Sequence, residues 1–360
     1  MSDFQFIPNL ARASTIPAYW YTDPAMLDRE RRNIFGRTWQ AVGRAEDVAE
    51  NGAYLACEIT GEPVLITRAK DGRLRAFSNV CRHRASVIAE GGGTSNTLRC
   101  PYHGWTYGLD GRLLGAPEFG GIENWRLEDV CLPEFRVEAW GPFLFVNQDV
   151  AAPAFNEVLG DIPAEIAAIG CPFSKLSFSY RRDYIVECNW KVYIDNYLEG
   201  YHLPAAHPGL CRELDYSRYR VETFRYYSSH IAPIREHTAG KRQYDYSDDS
   251  RRALYYWIFP NFMLNIYPDN MSSNIILPLG PEKTLTIFEW FGYGGEVQQA
   301  TIDFSDEIQQ EDIRVCELTQ RGLRSRHYSQ GRFSVKRENG VHHFHLLLNE
   351  FLGATNGSQP

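Results

Sequence analysis

The sequence has no apolar run long enough to cross a bilayer: stretches such as "NIILPLG" end far short of the roughly 20 residues a membrane helix needs. Its first residues show no basic segment followed by an apolar one, so no secretory leader is expected. Positive charge is also scarce. Thirty-seven Lys and Arg against 45 Asp and Glu leave a formal charge of -8, and a net negative surface attracts neither nucleic acid nor an anionic membrane. The expected partners are small molecules and proteins. The cysteines, at positions 57, 81, 100, 131, 171, 188, 211 and 316, form no dense framework of the secreted type. They are expected to remain thiols in the cytoplasm unless a metal claims them. Repeats and low-complexity tracts are missing, and no glycine fingerprint for a nicotinamide cofactor follows a strand. A chain of 360 residues can bury a core in each of two or three domains, so stability alone explains none of these cysteines.

What is present changes character along the chain. "DPAMLDRERRNIFGRTWQAVGR" predicts a helix that starts at Asp23 and Pro24 and stops near Phe35 and Gly36. Residues 1–37 therefore read as a helical segment, expected to pack on the C-terminal domain. Short β-type pieces follow, "AYLACEI", "GEPVLITRAKDGRLRAFSNV", "TLRCPYHGWTYGLDGRLLG" and "WGPFLFVNQD", with hairpin turns at Asp71-Gly72 and Asp110-Gly111. Residues 38–150 thus form an all-β domain. Beyond an Ala- and Pro-rich connector, residues 151–360 mix two-periodic strands with helices through 189–201 and 305–323. That mixture predicts an α+β chain whose second domain is an antiparallel sheet with surrounding helices. The tail "GATNGSQP" is expected to fray.

The all-β domain contains "CRHRASVIAEGGGTSNTLRCPYHGW", which pairs Cys81 with His83 and Cys100 with His103. Two thiolates and two imidazoles could hold a structural zinc ion. Each half, however, offers one Cys and one His at the end of a hairpin, so two sulfurs can take one metal while two imidazoles take another. That arrangement fits a Rieske [2Fe-2S] cluster. Gly91 to Gly93 and Pro101 are expected to let the backbone approach the sulfides.

Such a cluster moves one electron and makes no bond, so it needs a second site. "NWKVYIDNYLEGYHLPAAHPG" offers His202 and His207, with Pro204 and Pro208 breaking regular helix so that the second can bend back toward the first. Asn189, Tyr193, Asn196 and Gly200 fall on one helical spacing. Two imidazoles and one carboxylate hold non-haem Fe(II) on one face and leave the opposite positions open. Asp195 and Glu199 are candidates for the carboxylate, although Glu199 is better placed to accept a hydrogen bond from the His202 ring. In "DFSDEIQQEDIRVCELTQRGLRS", Asp312 shares a stripe with Ile308, Val315, Cys316 and Thr319 that should face the core, where an acid needs a partner or a metal. Glu311 and Glu317 are rivals on the polar side.

Together "CRH…CPYHGW" and "DNYLEGYHLPAAH" resemble the oxygenase α subunits of the Rieske non-haem iron oxygenases over nearly the whole chain. The resemblance implies a cluster on Cys81, His83, Cys100 and His103, and catalytic Fe(II) on His202, His207 and Asp312. It implies a homotrimer in which Glu199 bridges His103 of one subunit and His202 of the next, with Asn196 orienting the iron site. Glutamate at position 199, where ring-dihydroxylating members carry Asp, is similar to the choline monooxygenase and carnitine oxygenase branch, as are "FPNFMLNIYPDN" and "CELTQRGLRS". Electrons would come from a separate NAD(P)H-dependent reductase, with or without a ferredoxin. With O2 they would serve hydroxylation of an unactivated C–H bond of a small molecule, giving N-demethylation or C–N cleavage of a quaternary ammonium or betaine-like substrate. The aromatic run of Tyr255, Tyr256, Trp257, Phe259, Phe262 and Tyr267 offers faces for such a cation. The alternatives are hydroxylation of an arene and, as a non-enzyme, a Rieske electron carrier, which would leave the second histidine pair unexplained.

Overall fold

A computed structural model describes residues 4–171, 173–233, 252–267 and 270–353. The tail expected to fray, from Ala354 onward, lies outside the described residues. The chain divides into two compact units, one of Phe35–Phe155 and one that joins the residues up to Ile34 with those from Asn156 onward.

The first unit is all β. Among the described residues its larger sheet runs in the order Gln40–Arg44, Phe143–Asn147, Glu134–Trp140, Leu74–Ser78, Glu62–Arg68, Ala53–Ile59 and Gly92–Thr94. Thr97–Arg99, Thr106–Gly108 and Leu113–Gly115 form a smaller one. Both predicted hairpin turns occur: Gly72 and Gly111 adopt φ of 76° and 83°, which glycine reaches without a Cβ clash. Strand Glu134–Trp140 was not expected, although its Glu-Phe-Arg-Val-Glu-Ala alternation carries the two-residue period of a half-buried strand. Phe77, Trp105 and Tyr107 pack with Cys81 and Cys100 in the core between these sheets.

The second unit is built on an antiparallel sheet in the order Leu176–Val186, Lys283–Tyr293, Asn270–Gly280, Phe262–Ile266, Arg252–Ile258, Tyr227–Pro233 and Arg220–Thr223. Helices surround it, as an α+β chain requires. The predicted helix at 189–201 ends at Tyr197, with Asn189 as its N-cap accepting from the Lys191 N–H. It stops early because the Glu199 carboxylate takes the N–H groups of Tyr201 and His202, which drives the backbone into a turn. The later helix spans Gln299–Leu323, and its buried line is Ile302, Gln309, Cys316, Gln320 and Leu323. The expected stripe was therefore misphased at one end: Thr319 is exposed and Asp312 lies at the border, partly buried. Strand Tyr227–Pro233 and helix Asn339–Gly353 were not foreseen. Ser228, Ser229 and His230 are all buried, and three polar residues in a row conceal the apolar signal of a strand.

The N-terminal segment belongs to this second unit. Asp23 caps the helix Pro24–Glu30, whose last residue is fully buried and pairs with Lys191 Nζ at 2.5 Å and Trp190 Nε1 at 2.7 Å. Removing one member of such a buried pair costs about 3–5 kcal/mol, because the other charge is left alone. This contact anchors the start of the 190–197 helix, and so fixes what that helix carries at its other end.

Candidate functional site

Cys81 and Cys100 are buried free thiols at the ends of two loops in the first unit. Tight turns place the histidines: the Ala85 N–H closes on the Cys81 carbonyl at 3.1 Å with Ala85 at φ 58°, and the Gly104 N–H closes on the Cys100 carbonyl at 3.1 Å with Gly104 at φ 75°. These two residues supply the left-handed backbone beside the ligands. The glycine run Gly91 to Gly93, expected there, instead builds the edge strand Gly92–Thr94 against Ala53–Leu55. Gly92 allows that approach, since a Cβ on it would lie 3.2 Å from the Tyr54 carbonyl oxygen.

The rings of His83 and His103 lie 4.6 Å apart, and His83 stacks on Trp105 at 4.9 Å with only 7° between the planes. Nδ1 of His83 is buried and finds no hydrogen-bond partner among the described residues. A native orphan of this kind calls for an explanation, and a metal on that nitrogen supplies one. Burial pushes the Cys100 thiol up, but N–H groups of Tyr102 and His103 and the side chains of Cys81 and Ser86 outweigh it and hold the thiol below its ordinary value. Desolvation, then His83 and Arg84, hold His103 below its ordinary value. Two buried thiols, with Cys100 held below its ordinary value, beside two imidazoles fit the mixed donor set of a Rieske cluster.

In the second unit the structure brings His202, His207 and Asp312 together, with one ligand atom from each within 4.8 Å of the others. Both predicted prolines take part. Pro204 and Pro208 open the short helices Leu203–Ala206 and Pro208–Glu213, and His207 sits at the junction, which turns its ring back to 5.0 Å from that of His202. Asp312 Oδ1 lies 3.0 Å from His207 Nε2 and 3.8 Å from His202 Nε2. The Asn196 amide donates to the same oxygen at 2.6 Å.

Both Nδ1 atoms face carboxylates: His202 to Glu199 Oε1 at 2.6 Å, and His207 to Glu311 Oε2 at 2.7 Å. A carboxylate can only accept, so each ring carries a proton on Nδ1, and the Nε2 atoms, turned toward Asp312, are the ones free to bind a metal. That is the pattern by which outer carboxylates orient metal-binding histidines. Burial pulls the His207 pKa down, yet the hydrogen bonds and charges of Asp312 and then Glu311 raise it above the ordinary value. A metal entering here must displace a proton.

Of the other candidates, Asp195 points elsewhere, accepting from Tyr21 OH at 2.5 Å and meeting His345 Nε2 at 3.0 Å. Glu317 accepts from the Glu187 N–H. Sequence reasoning offered Glu311 only as a rival to Asp312 for the iron, whereas the structure sets it behind His207. Glu311→Ala is expected to weaken Fe(II) binding about 10–100-fold while the cluster absorption stays unchanged, as Fe(II) titration of the metal-depleted protein would reveal. Unaltered affinity would make its contact with His207 incidental.

The helical stripe Asn189, Tyr193 and Asn196 faces the 299–323 helix, meeting Gln320, Gln309 and Asp312 respectively. The aromatic run does not act as a unit. Tyr256 bonds Glu165 and Trp257 packs on Phe344, both as core, whereas Tyr255 meets Tyr267 edge-on at 5.9 Å. Tyr197 and Tyr219, on either side of the iron histidines in sequence, approach the same region and raise the Tyr255 hydroxyl further above its ordinary pKa after burial and Tyr267.

Residues 38–126 match the Rieske [2Fe-2S] domain, and residues 173–354 match the catalytic domain of the ring hydroxylating alpha subunit. Choline monooxygenase of Arabidopsis thaliana is 37% identical over 95% of this chain and 84% of its own length. The carnitine monooxygenase oxygenase subunit of Escherichia coli K12 is 32% identical over 95% of each chain. A solved quaternary ammonium Rieske monooxygenase, described in terms of carnitine oxidation and inter-subunit electron transfer, superposes with a TM-score of 0.83 at 28% identity, covering 96% of this chain and 99% of that one. The branch expected from Glu199 is the one these relatives occupy. With a Rieske domain, a His-His-Asp iron site and likeness along nearly its whole length, the chain belongs to the Rieske non-haem iron oxygenases, as a ring-hydroxylating oxygenase α subunit.

Proposed function

We propose that the chain is a terminal oxygenase that hydroxylates a C–H bond of a quaternary ammonium or betaine-like substrate, drawing electrons from a separate NAD(P)H-dependent reductase with or without a ferredoxin. Where the attacked carbon is bound to nitrogen, the hydroxylated product collapses to an aldehyde and an amine. The observation that carries this reading is the convergence of His202, His207 and Asp312 in a chain whose relatives act on choline and carnitine. We read residues 38–150 as the cluster domain and 151–360 as the iron domain, with 1–37 packed on the latter.

The cluster, on Cys81, His83, Cys100 and His103, supplies single electrons when bound, and iron on His202, His207 and Asp312 supplies O2 activation at the positions left open. The remaining work is done by side chains. Glu199 and Glu311 hold the ring protons on Nδ1 and so present both Nε2 atoms. Asn196 fixes the rotamer of Asp312 through its amide. Tyr197, Tyr255 and Tyr267 would offer ring faces to such a substrate, and a desolvated cation over such a face gains about 2 kcal/mol.

We place Glu199 between His103 of one subunit and His202 of its neighbour in a homotrimer. The inter-subunit electron transfer ascribed to the solved relative supports this. Among the described residues no helix is long and apolar enough to cross a membrane. The free cysteines suit the reducing cytoplasm, where we place the protein.

Product analysis tests the reaction. Incubated with a compatible reductase, NADH and a panel of choline, betaines, carnitine and aromatic acids, the enzyme is expected to consume a quaternary amine and release an aldehyde. Turnover confined to an aromatic acid would replace this reading with arene hydroxylation.

A further inference from the structure

Glu199 is held on both sides by residues with no part in either metal site. Its neighbour Gly200 lies flat against the Tyr219 ring: a Cβ on Gly200 would sit 2.6 Å from Cε1, 2.8 Å from Cδ1 and 3.0 Å from Cζ. The ring cannot easily retreat. Its hydroxyl meets His230 Nδ1 at 2.8 Å, the other His230 nitrogen meets Ser228 Oγ at 3.1 Å, and its backbone carbonyl accepts from Arg337 Nη1 at 3.1 Å. His230 and Ser228 are both buried in strand Tyr227–Pro233, so the strut ends in the sheet.

On the other side, Leu198 meets the first turn of the Asn339–Gly353 helix. A Cβ on Gly340 would lie 2.3 Å from the Leu198 carbonyl oxygen and 3.2 Å from Val221 Cγ1. Backbone cannot swing aside as a flexible side chain can. The Asn339 amide donates to the Val221 carbonyl at 2.9 Å, which pins that helix start to the sheet edge. Two elements more than a hundred residues apart in sequence thus close on the residues immediately before and after one acid.

We infer that Tyr219 and Gly340 are positioning residues which clamp the turn 198–200 and thereby fix the Glu199 carboxylate against His202. The inference rests on the role proposed above for Glu199. The clamp matters because Glu199 serves three donors at once, Nδ1 of His202 and the N–H groups of Tyr201 and His202. A shift of about 1 Å in such a group can cost 10²-fold in rate.

The test uses the holoenzyme. Gly200→Ala and Gly340→Ala are each expected to slow reoxidation of the prereduced cluster in a single turnover by about 10²-fold, with substrate affinity and the cluster spectrum unchanged. Hydrogen exchange of the Tyr201 and His202 amides should quicken about tenfold, while that of the sheet stays as it was. Tyr219→Phe keeps the ring, loses the hydroxyl anchor and is the milder variant should an alanine change fail to fold; it should show the same exchange signature to a smaller degree. With Tyr219→Ala in place, Gly200→Ala should cost nothing further, because the obstructing ring is gone. Slow turnover in Glu199→Gln together with wild-type rates and exchange in all the clamp variants, or independent, multiplying effects in the double variant, overturns the clamp alone. A wild-type rate in Glu199→Gln removes the role of Glu199 and the clamp with it.

Discussion

Asp312→Ala is expected to empty the iron site and bring turnover to background while leaving the Rieske absorption intact. The carboxylate is one of three donors, and two imidazoles alone do not make the facial set that binds non-haem Fe(II). The loss spreads to its partners. Asn196 Nδ2 and His207 Nε2 both meet Asp312 Oδ1, so removal leaves the amide without its acceptor and the imidazole without its main ionic partner. Burial is then opposed at His207 by Glu311 alone, which moves its pKa down from the raised value it now has. The cluster ligands belong to the other compact unit, so their spectrum reports folding independently. Metal analysis should find about two irons per chain where the wild type has about three. A third iron at full occupancy with normal turnover in the variant would show that another acid completes the site.

The two metal motifs were legible because their ligands are close in sequence and chemically distinctive. Cys81-x-His83, Cys100-x2-His103 and the His202–His207 pair each bring scarce side chains together within a single loop. Asp312 was harder. It lies more than a hundred residues from His207, and its only local sign is an acid near a buried stripe whose phase was read partly wrong. Gln309 and Gln320, both buried and bonded to Tyr193 and to the Asn189 N–H, explain the misreading: they occupy core positions with polar atoms satisfied across the helix pair. Glu311 was read as a rival ligand, and its contact with His207 could not be foreseen. Its value depends on which nitrogen of His207 faces Asp312, a fact of three-dimensional geometry. The clamp on Glu199 is equally non-local, since Tyr219 and Gly340 matter through what they leave no room for.

Those same contacts sharpen what Glu199→Gln should do. The carboxylate presents one oxygen to the His202 ring and the other to two backbone N–H groups. An amide has a single acceptor oxygen and cannot serve both sides. If that oxygen stays with the backbone, the NH2 group faces His202 Nδ1 and favours the tautomer with the proton on Nε2, the nitrogen turned toward Asp312. If instead it serves the ring, the NH2 group opposes two N–H donors and the turn 198–202 loosens. Either outcome weakens Fe(II) binding about 10–100-fold, as loss of an outer carboxylate does at metal-bound histidines. Iron must therefore be restored to full loading before rates are compared. At that loading, single-turnover product formation from a prereduced cluster should remain slower by about 10²-fold, since charge and geometry at the proposed bridge are both altered. Glu199→Asp restores the charge but shortens the reach by one methylene, and the clamped turn cannot follow, so only partial recovery is expected. A side chain acting merely as a local cap would lower the melting temperature and spare the rate. Full single-turnover speed in iron-loaded Glu199→Gln would leave Glu199 as that cap and nothing more.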